Sequence, residues 1–314
     1  MGLADLLEVT LTTASMAPQK VADIPASVVI VTRRDIELYG YTTLAQILES
    51  IPGLYGINDY GATAFTVGVR GFWSSVPNSN TIVMVNGVRQ VYDYDGSNPL
   101  SRIAVPVEAI DRIEVVWGPM SVMFGSGAFY GAINVMTNEF PADPQHVSLT
   151  AATGSAATHK LYGRLSGRKE ELAYTVHASV RDTDGIDQPL RAMVSRPEAL
   201  PRMGVPEDHR TGGRLEEREV RFGFSGQLGC FEVELSHSED RGEGLFLRPA
   251  VSEGSVNRLT ASDFAVNYRR GLSGSLTLDA KLVYNRIRFR SDIAWSVRIS
   301  TASSSTRSTR SSSR

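Results

Sequence analysis

The side chains able to do covalent or metal chemistry are few and scattered. One cysteine, Cys230, stands beside Gly229 on an alternating segment, which excludes a disulfide framework and any thiolate metal cluster. The five histidines, His146, His159, His177, His209 and His237, include no pair at metal-ligand spacing. No nucleophile stands with a base, so neither an enzyme nor a cofactor or metal is expected. A glycine-punctuated run from Gly118 to Gly127 invites comparison with a phosphate cradle, but the lysine and Ser/Thr of a P-loop are missing. What remains is charge in a pattern: Arg70, Arg89, Asp111, Arg112 and Glu114, whose chemistry would be ion pairing. A net charge of −2 and a pI near 6.2 give no pull towards nucleic acid.

The elements that must hold these residues fall into regions of different texture. From about Leu6 to Asn138 short apolar runs mix with helical signals. Ser27 to Val31 is β-branched and reads as a buried strand. Thr32 offers a helix cap, with Asp35 three residues on and Gly40 as the stop. Thr43 and Gln46 have capping-box spacing for a second helix, ended by Pro52-Gly53. Thr81 to Val85 reads as a strand, and Asn86-Gly87 supplies the positive φ angles of a tight turn into Val88 to Val91. Asp111 to Val116 and Gly131 to Thr137 are further strands. The expectation is a small α+β domain over 21–140, with strands too short to span a membrane.

From about His146 to Arg290 the pattern becomes strict alternation. Between Leu172 and Arg181 one face is Leu, Tyr, Val, Ala, Val and the other Ala, Thr, His, Ser, Arg. Val220, Phe222 and Phe224 oppose Arg221, Gly223 and Ser225; Phe231, Val233 and Leu235 oppose Glu232, Glu234 and Ser236. Leu276 to Tyr284 alternates likewise. Seven strands are expected, beginning near His146, Lys160, Leu172, Val220, Phe231, Phe264 and Ser275. Connections after the third and fifth are long and those after the second, fourth and sixth are tight, the asymmetry of extracellular loops and periplasmic turns. The first connection is short on the long side, an exception. After Tyr284, Arg286, Arg288 and Arg290 occupy positions that were apolar, which reads as a change of phase.

Four stretches, taken in order, give the chain a family. They are Ala22 to Val28; Leu44 to Gly53; Val69-Arg70-Gly71-Phe72 with Val85-Asn86-Gly87-Val88-Arg89; and Ile110 to Pro119 through Phe124 to Ala128 and Gly131 to Val135. Together they resemble the plug of TonB-dependent outer-membrane receptors. The resemblance implies an α+β plug domain followed by antiparallel β-strands of an incomplete transmembrane β-barrel. It also implies TonB as energising partner, outer-membrane lipid as surroundings, and a small ligand such as a ferric siderophore or other metal chelate.

Leu7-Glu8-Val9-Thr10-Leu11 looks like a TonB box, an extended peptide that adds to a partner's sheet edge. The plug motif residues are Arg70, Gly71, Asn86, Gly87, Arg89, Asp111, Arg112, Glu114, Gly118, Pro119, Gly125, Gly127, Gly131 and Asn134, with some of the charges expected to pair plug to barrel. One departure stands out. Trp117 takes the place where many members carry arginine before Gly-Pro, which weakens the expectation of a plug-to-barrel arginine contact there.

The expected division is therefore 1–20, a segment with the TonB box; 21–140, the plug; 146–292, the first barrel strands; and 300–314, a Ser/Thr/Arg-rich disordered tail. Seven strands cannot close a plugged barrel of about 22. With no secretory signal at the start, the chain reads as a clipped or frame-shifted product. Two rivals remain open at this point: a soluble two-domain β-rich binding protein, whose faces led by Phe222 and Phe231 would pack into a core, and a receptor fragment without function.

Overall fold

The computed structural model describes residues 10–11, 19–20, 26–58, 65–72, 80–91, 103, 105–137, 140, 145–192, 196–203, 208–210, 216–243, 256–273 and 276–292. Two short strands near the start, β1 (Thr10–Leu11) and β2 (Gln19–Lys20), pair antiparallel.

In the N-terminal unit, β3 (Ser27–Thr32) runs straight into α1 (Arg33–Tyr39). The Thr32 hydroxyl and the Asp35 side chain cap each other's backbone, and Gly40 closes the helix at φ 67°. The same box recurs at Thr43 and Gln46 ahead of α2 (Leu44–Glu49). A hairpin not evident from the sequence follows, β4 (Leu54–Asn58) with β5 (Phe65–Val69). Then come β6 (Thr81–Val85), β7 (Val88–Arg89), β8 (Ile110–Trp117), a four-residue α3 (Ser121–Phe124) inside the glycine-rich loop, and β9 (Gly131–Thr137). The five-stranded sheet has the order β3-β8-β9-β6-β7, with β6 and β9 parallel. Its core gathers Ile36, Ile47, Leu48, Ile110, Ile113 and Ile133.

The rest is one antiparallel sheet of seven strands in chain order: β10 (Gln145–Thr153), β11 (His159–Lys169), β12 (Leu172–Thr183), β13 (Glu217–Leu228), β14 (Phe231–Glu243), β15 (Val256–Ser273) and β16 (Leu276–Asp292). β13 and β15 begin earlier than alternation of apolar residues suggests, because the upper end of β13 carries charge on both faces and that of β15 puts Arg258, Thr260 and Ser262 on the face that is apolar below. β16 does not change phase. Its pairing with β15 is regular except near Gly271/Ser273, so Arg286, Arg288 and Arg290 share the outward face of Leu282 and Tyr284.

The sheet is inverted relative to a soluble protein. Its polar face lies against the N-terminal unit, with Thr175 fully buried, while Leu149 is 74%, Phe222 40% and Phe231 52% exposed. A soluble sandwich requires those aromatic faces to be packed, so that reading fails. The apolar band also drifts across the register. Its upper edge follows one row through Ala151, Leu161, Val180 and Val220, then stands four residues lower at Leu235, Phe264 and Tyr284. Strands tilted in a barrel wall produce this drift, because a level band crosses them obliquely.

Candidate functional site

The residues singled out in the sequence gather in four places. In the first, Val69 and Phe72 exchange backbone hydrogen bonds (2.8 and 2.9 Å) around Arg70 (φ 48°) and Gly71 (φ 84°). This tight turn lays the Arg70 guanidinium 5.3 Å from the centre of the Trp117 ring. The tryptophan that replaces the family's arginine thus serves as a seat for another arginine, through the ring's negative face.

In the second, Arg112 on β8 pairs with Glu114 (2.9 Å) and Asp111 (3.3 Å). Glu114 is fully buried. A buried carboxylate needs such a partner, and these ion pairs lie within the N-terminal unit.

The third place is the loop from Gly118 to Gly131. Gly118 N–H donates to Tyr130 O (3.0 Å), Met120 N–H to Ala128 O (2.8 Å) and Gly125 N–H to Ser121 O (2.9 Å). These amides are spent internally and are not free to cradle a phosphate. Pro119 is exposed, and Gly125 and Gly127 take φ 74° and 91°. Gly131 serves close approach: a Cβ there would lie 2.3 Å from the Val116 carbonyl oxygen.

The fourth is the turn at Asn86 (φ 49°) and Gly87 (φ 72°). Asn86 Nδ2 donates to Thr137 Oγ1 and Asn86 Oδ1 accepts from Thr137 N–H, both at 2.8 Å. Asn134 Oδ1 accepts from Gly87 N–H at 3.1 Å. Two asparagines thereby fasten the turn to β9. Arg89, in β7 beyond it, is half-buried.

This turn faces the seven-stranded wall. Lys281 Nζ on β16 donates to the Asn86 carbonyl at 3.3 Å. Close by, Gln90 lies 3.5 Å from Asp263 Oδ1, which also accepts from Asn285, while Ser236 donates to Asp263 Oδ2 at 3.0 Å. A second tether joins Glu108 to Lys160 on β11 at 2.8 Å, both largely shielded from water. Beside it Tyr162, 2% exposed, inserts its ring into the N-terminal unit's core. Below the turn a cavity of about 800 Å³ is lined by Asn86, Gly87 and Asn134 on one side and Glu232, Glu234 and Lys281 on the other.

Of the tethering residues, the sequence marked only Asn86. Lys160, Asp263 and Lys281 fall on the polar face of alternating strands, which was the available signal; Glu108 and Gln90 gave none. Leu7, Glu8 and Val9 of the proposed box lie outside the described residues, and Thr10 and Leu11 form β1.

A polar-inward, apolar-outward wall with an α+β unit fastened to its polar face defines a plugged outer-membrane barrel protein. Residues 20–132 match the TonB-dependent receptor plug domain. Over 137 residues the chain is 32% identical to an iron-regulated outer membrane virulence protein of Vibrio cholerae serotype O1, covering 42% of this chain and 20% of that one. Over 160 residues it is 30% identical to the vitamin B12 transporter BtuB of Photobacterium profundum, covering 51% of this chain and 25% of the transporter. Among solved structures it is similar in fold to the ferripyoverdine receptor of the outer membrane of Pseudomonas aeruginosa, with TM-score 0.63 and 14% identity, covering 88% of this chain and 36% of the receptor. The N-terminal unit is thus a TonB-dependent receptor plug domain. The chain spans about a fifth to a quarter of the length of the curated relatives it matches.

Proposed function

We propose that the protein is a receptor for TonB-energised uptake of a scarce nutrient, a ferric siderophore or similar metal chelate, with the N-terminal unit as the gate. The observation that carries this reading is the joint between unit and wall. It is made of a few polar contacts, Glu108 to Lys160, Gln90 to Asp263 and Asn86 to Lys281, instead of a packed apolar seam. Each such contact involves a charged group and nets about 1.5–3 kcal/mol, since water replaces the bond as it breaks. Relatives described as iron-regulated, and neighbours of similar fold that are receptors for ferripyoverdine and enterobactin, favour an iron chelate; the vitamin B12 transporter among the relatives keeps the corrinoid class as the second choice.

The test locks the gate. Glu108→Cys and Lys160→Cys are introduced together into a Cys230→Ser receptor in its outer membrane and joined by a short bis-maleimide, because the exposed Cys230 would otherwise react too. Uptake and surface binding of radio-iron chelates are then followed. Binding should persist while uptake stops, and the single-cysteine controls should transport normally. Unaltered uptake by the locked protein sinks the proposal. The coupling to TonB is tested by Val9→Pro, which removes an N–H that strand addition needs: uptake should fail with ligand binding intact.

A further inference from the structure

Above the apolar band the outward face of the wall carries arginines in register. Arg218 on β13 stands opposite Arg241 on β14, Arg241 opposite Arg258 on β15, and Arg258 opposite Arg290 on β16. Four adjacent strands thus place the same cation on the same row, and all four side chains are exposed. Neighbouring strands lie about 4.8 Å apart, so the row extends roughly 14 Å. Arg288 and Arg286 continue the patch downwards, along the outward positions of β16, to Tyr284 at the band's edge.

Like charges directly opposite each other on a sheet destabilise it. The acids nearby relieve this only in part. Glu239 lies 3.5 Å from Arg258 and Asp292 lies 3.1 Å from Arg290, both exposed pairs of little strength. Asp182 stands opposite Arg218 at the end of the row and Glu243 one step beyond Arg241, but no acid interrupts the four arginines. An uninterrupted guanidinium row is suited to multivalent oxyanions, since each fork can hold two oxygens of one phosphate.

Position selects the source of the phosphate. The row lies at the end of the wall where the connections are long, on the face that continues the apolar band, so what meets it is the outer-leaflet lipid itself. We infer that the arginine row of β13 to β16 is a binding site for a phosphorylated glycolipid of the outer leaflet, whose acyl chains lie on the apolar band while its phosphates bridge the guanidinium groups. The inference rests on the wall's orientation and is independent of which nutrient the receptor carries.

The test compares receptor purified in mild detergent with a variant bearing Arg218→Gln, Arg241→Gln, Arg258→Gln and Arg290→Gln. The probes are bisphosphorylated lipid A, the same lipid after enzymatic dephosphorylation, and phosphatidylglycerol. Wild type should bind the bisphosphorylated form at least tenfold more tightly than either of the others, with affinity falling steeply as salt rises. The variant should lose that preference, and four lysines in place of the arginines should restore part of it. Equal binding of the dephosphorylated lipid, equal binding of phosphatidylglycerol, or an unchanged affinity in the variant overturns the site. So does an acidic protein that copurifies through these arginines while glycolipid affinity stays the same. If the quadruple variant does not reach the outer membrane, Arg258→Gln alone, in the middle of the row, should weaken binding about threefold. Delivery of either variant to the outer membrane with normal nutrient uptake separates failure of this site from failure of the transport reading.

Discussion

An arginine placed at Phe224 measures whether the outward face lies in lipid. Phe224 is the middle member of the outward run Val220, Phe222, Phe224, Gly226 and Leu228 on β13 and stands between Val176 and Leu235 on the flanking strands. Eight residue steps of about 3.4 Å, tilted near 40°, give roughly 21 Å of height, which matches an apolar band about 25 Å tall. Phe224 therefore sits near the midplane and Val220 near the upper edge. A cation at the midplane costs about 2–4 kcal/mol and one at the edge about 0–1 kcal/mol. Phe224→Arg should then be about 2–3 kcal/mol less stable than Val220→Arg, a factor of about 30–150 in the folding equilibrium. The assay is guanidinium unfolding of the receptor refolded into phospholipid vesicles, followed by fluorescence and by the mobility shift of unheated samples. Two equal costs would refute the depth argument, whether both are small, as on a wet surface, or both large, as in a soluble core.

Further predictions concern the plug. Gly131→Ala should destabilise it by about 1–3 kcal/mol, because the new Cβ meets the rigid Val116 carbonyl 2.3 Å away and two β-strands must part to admit it; earlier cleavage of the plug by protease on warming reads this out. Thr32→Val should cost about 0.5–2 kcal/mol near neutral pH by removing the cap of α1. The hydrogen bond donated by Thr32 holds the Asp35 carboxyl below its ordinary 3.8. A depressed acid contributes stability that is present above its unfolded value and lost as pH falls through its folded value. The gap between Thr32→Val and wild type should accordingly be constant above about pH 5 and narrow as pH falls below 3.8, which denaturation midpoints across that range would show; a constant gap removes Asp35 from the cap.

Features written in local chemistry were legible in the sequence. Thr32 with Asp35 and Thr43 with Gln46 act over three residues, so both helix starts could be read directly. The wall strands were legible because lipid and plug impose opposite demands on alternate residues, and Leu172 to Thr183 record both. The β4–β5 hairpin escaped notice since Gly56 and Gly68 break its alternation; the Tyr55 ring covers Gly68 and supplies the missing side chain from across the hairpin. The tethers escaped for another reason. Lys281 is 195 positions from the carbonyl it binds, and nothing near either residue encodes the docking. The arginines of β16 break the apolar pattern without leaving the outward face. That face is defined by register, and its chemistry follows the height of the strand relative to the membrane.

The inverted wall explains the character of the plug joint. Lipid takes the apolar residues of β10 to β16, so the inward face has mainly polar side chains to offer. The plug cannot be held as one layer of a soluble protein holds another. Its own core of Ile36, Ile47, Ile113 and Ile133 is closed by α1 and α2, and among the described residues Tyr162 is the one wall side chain that enters that core. Within the plug, cohesion is apolar and many-fold, whereas between plug and wall it is polar and point-like. Because protein–water bonds replace the tethers as they break, parting at the joint costs less than opening the core. A pull on the plug's N-terminal end should therefore shift or loosen the joint at Glu108–Lys160 and at the Asn86 turn before it unfolds the five-stranded sheet, which is the order of events a gate requires.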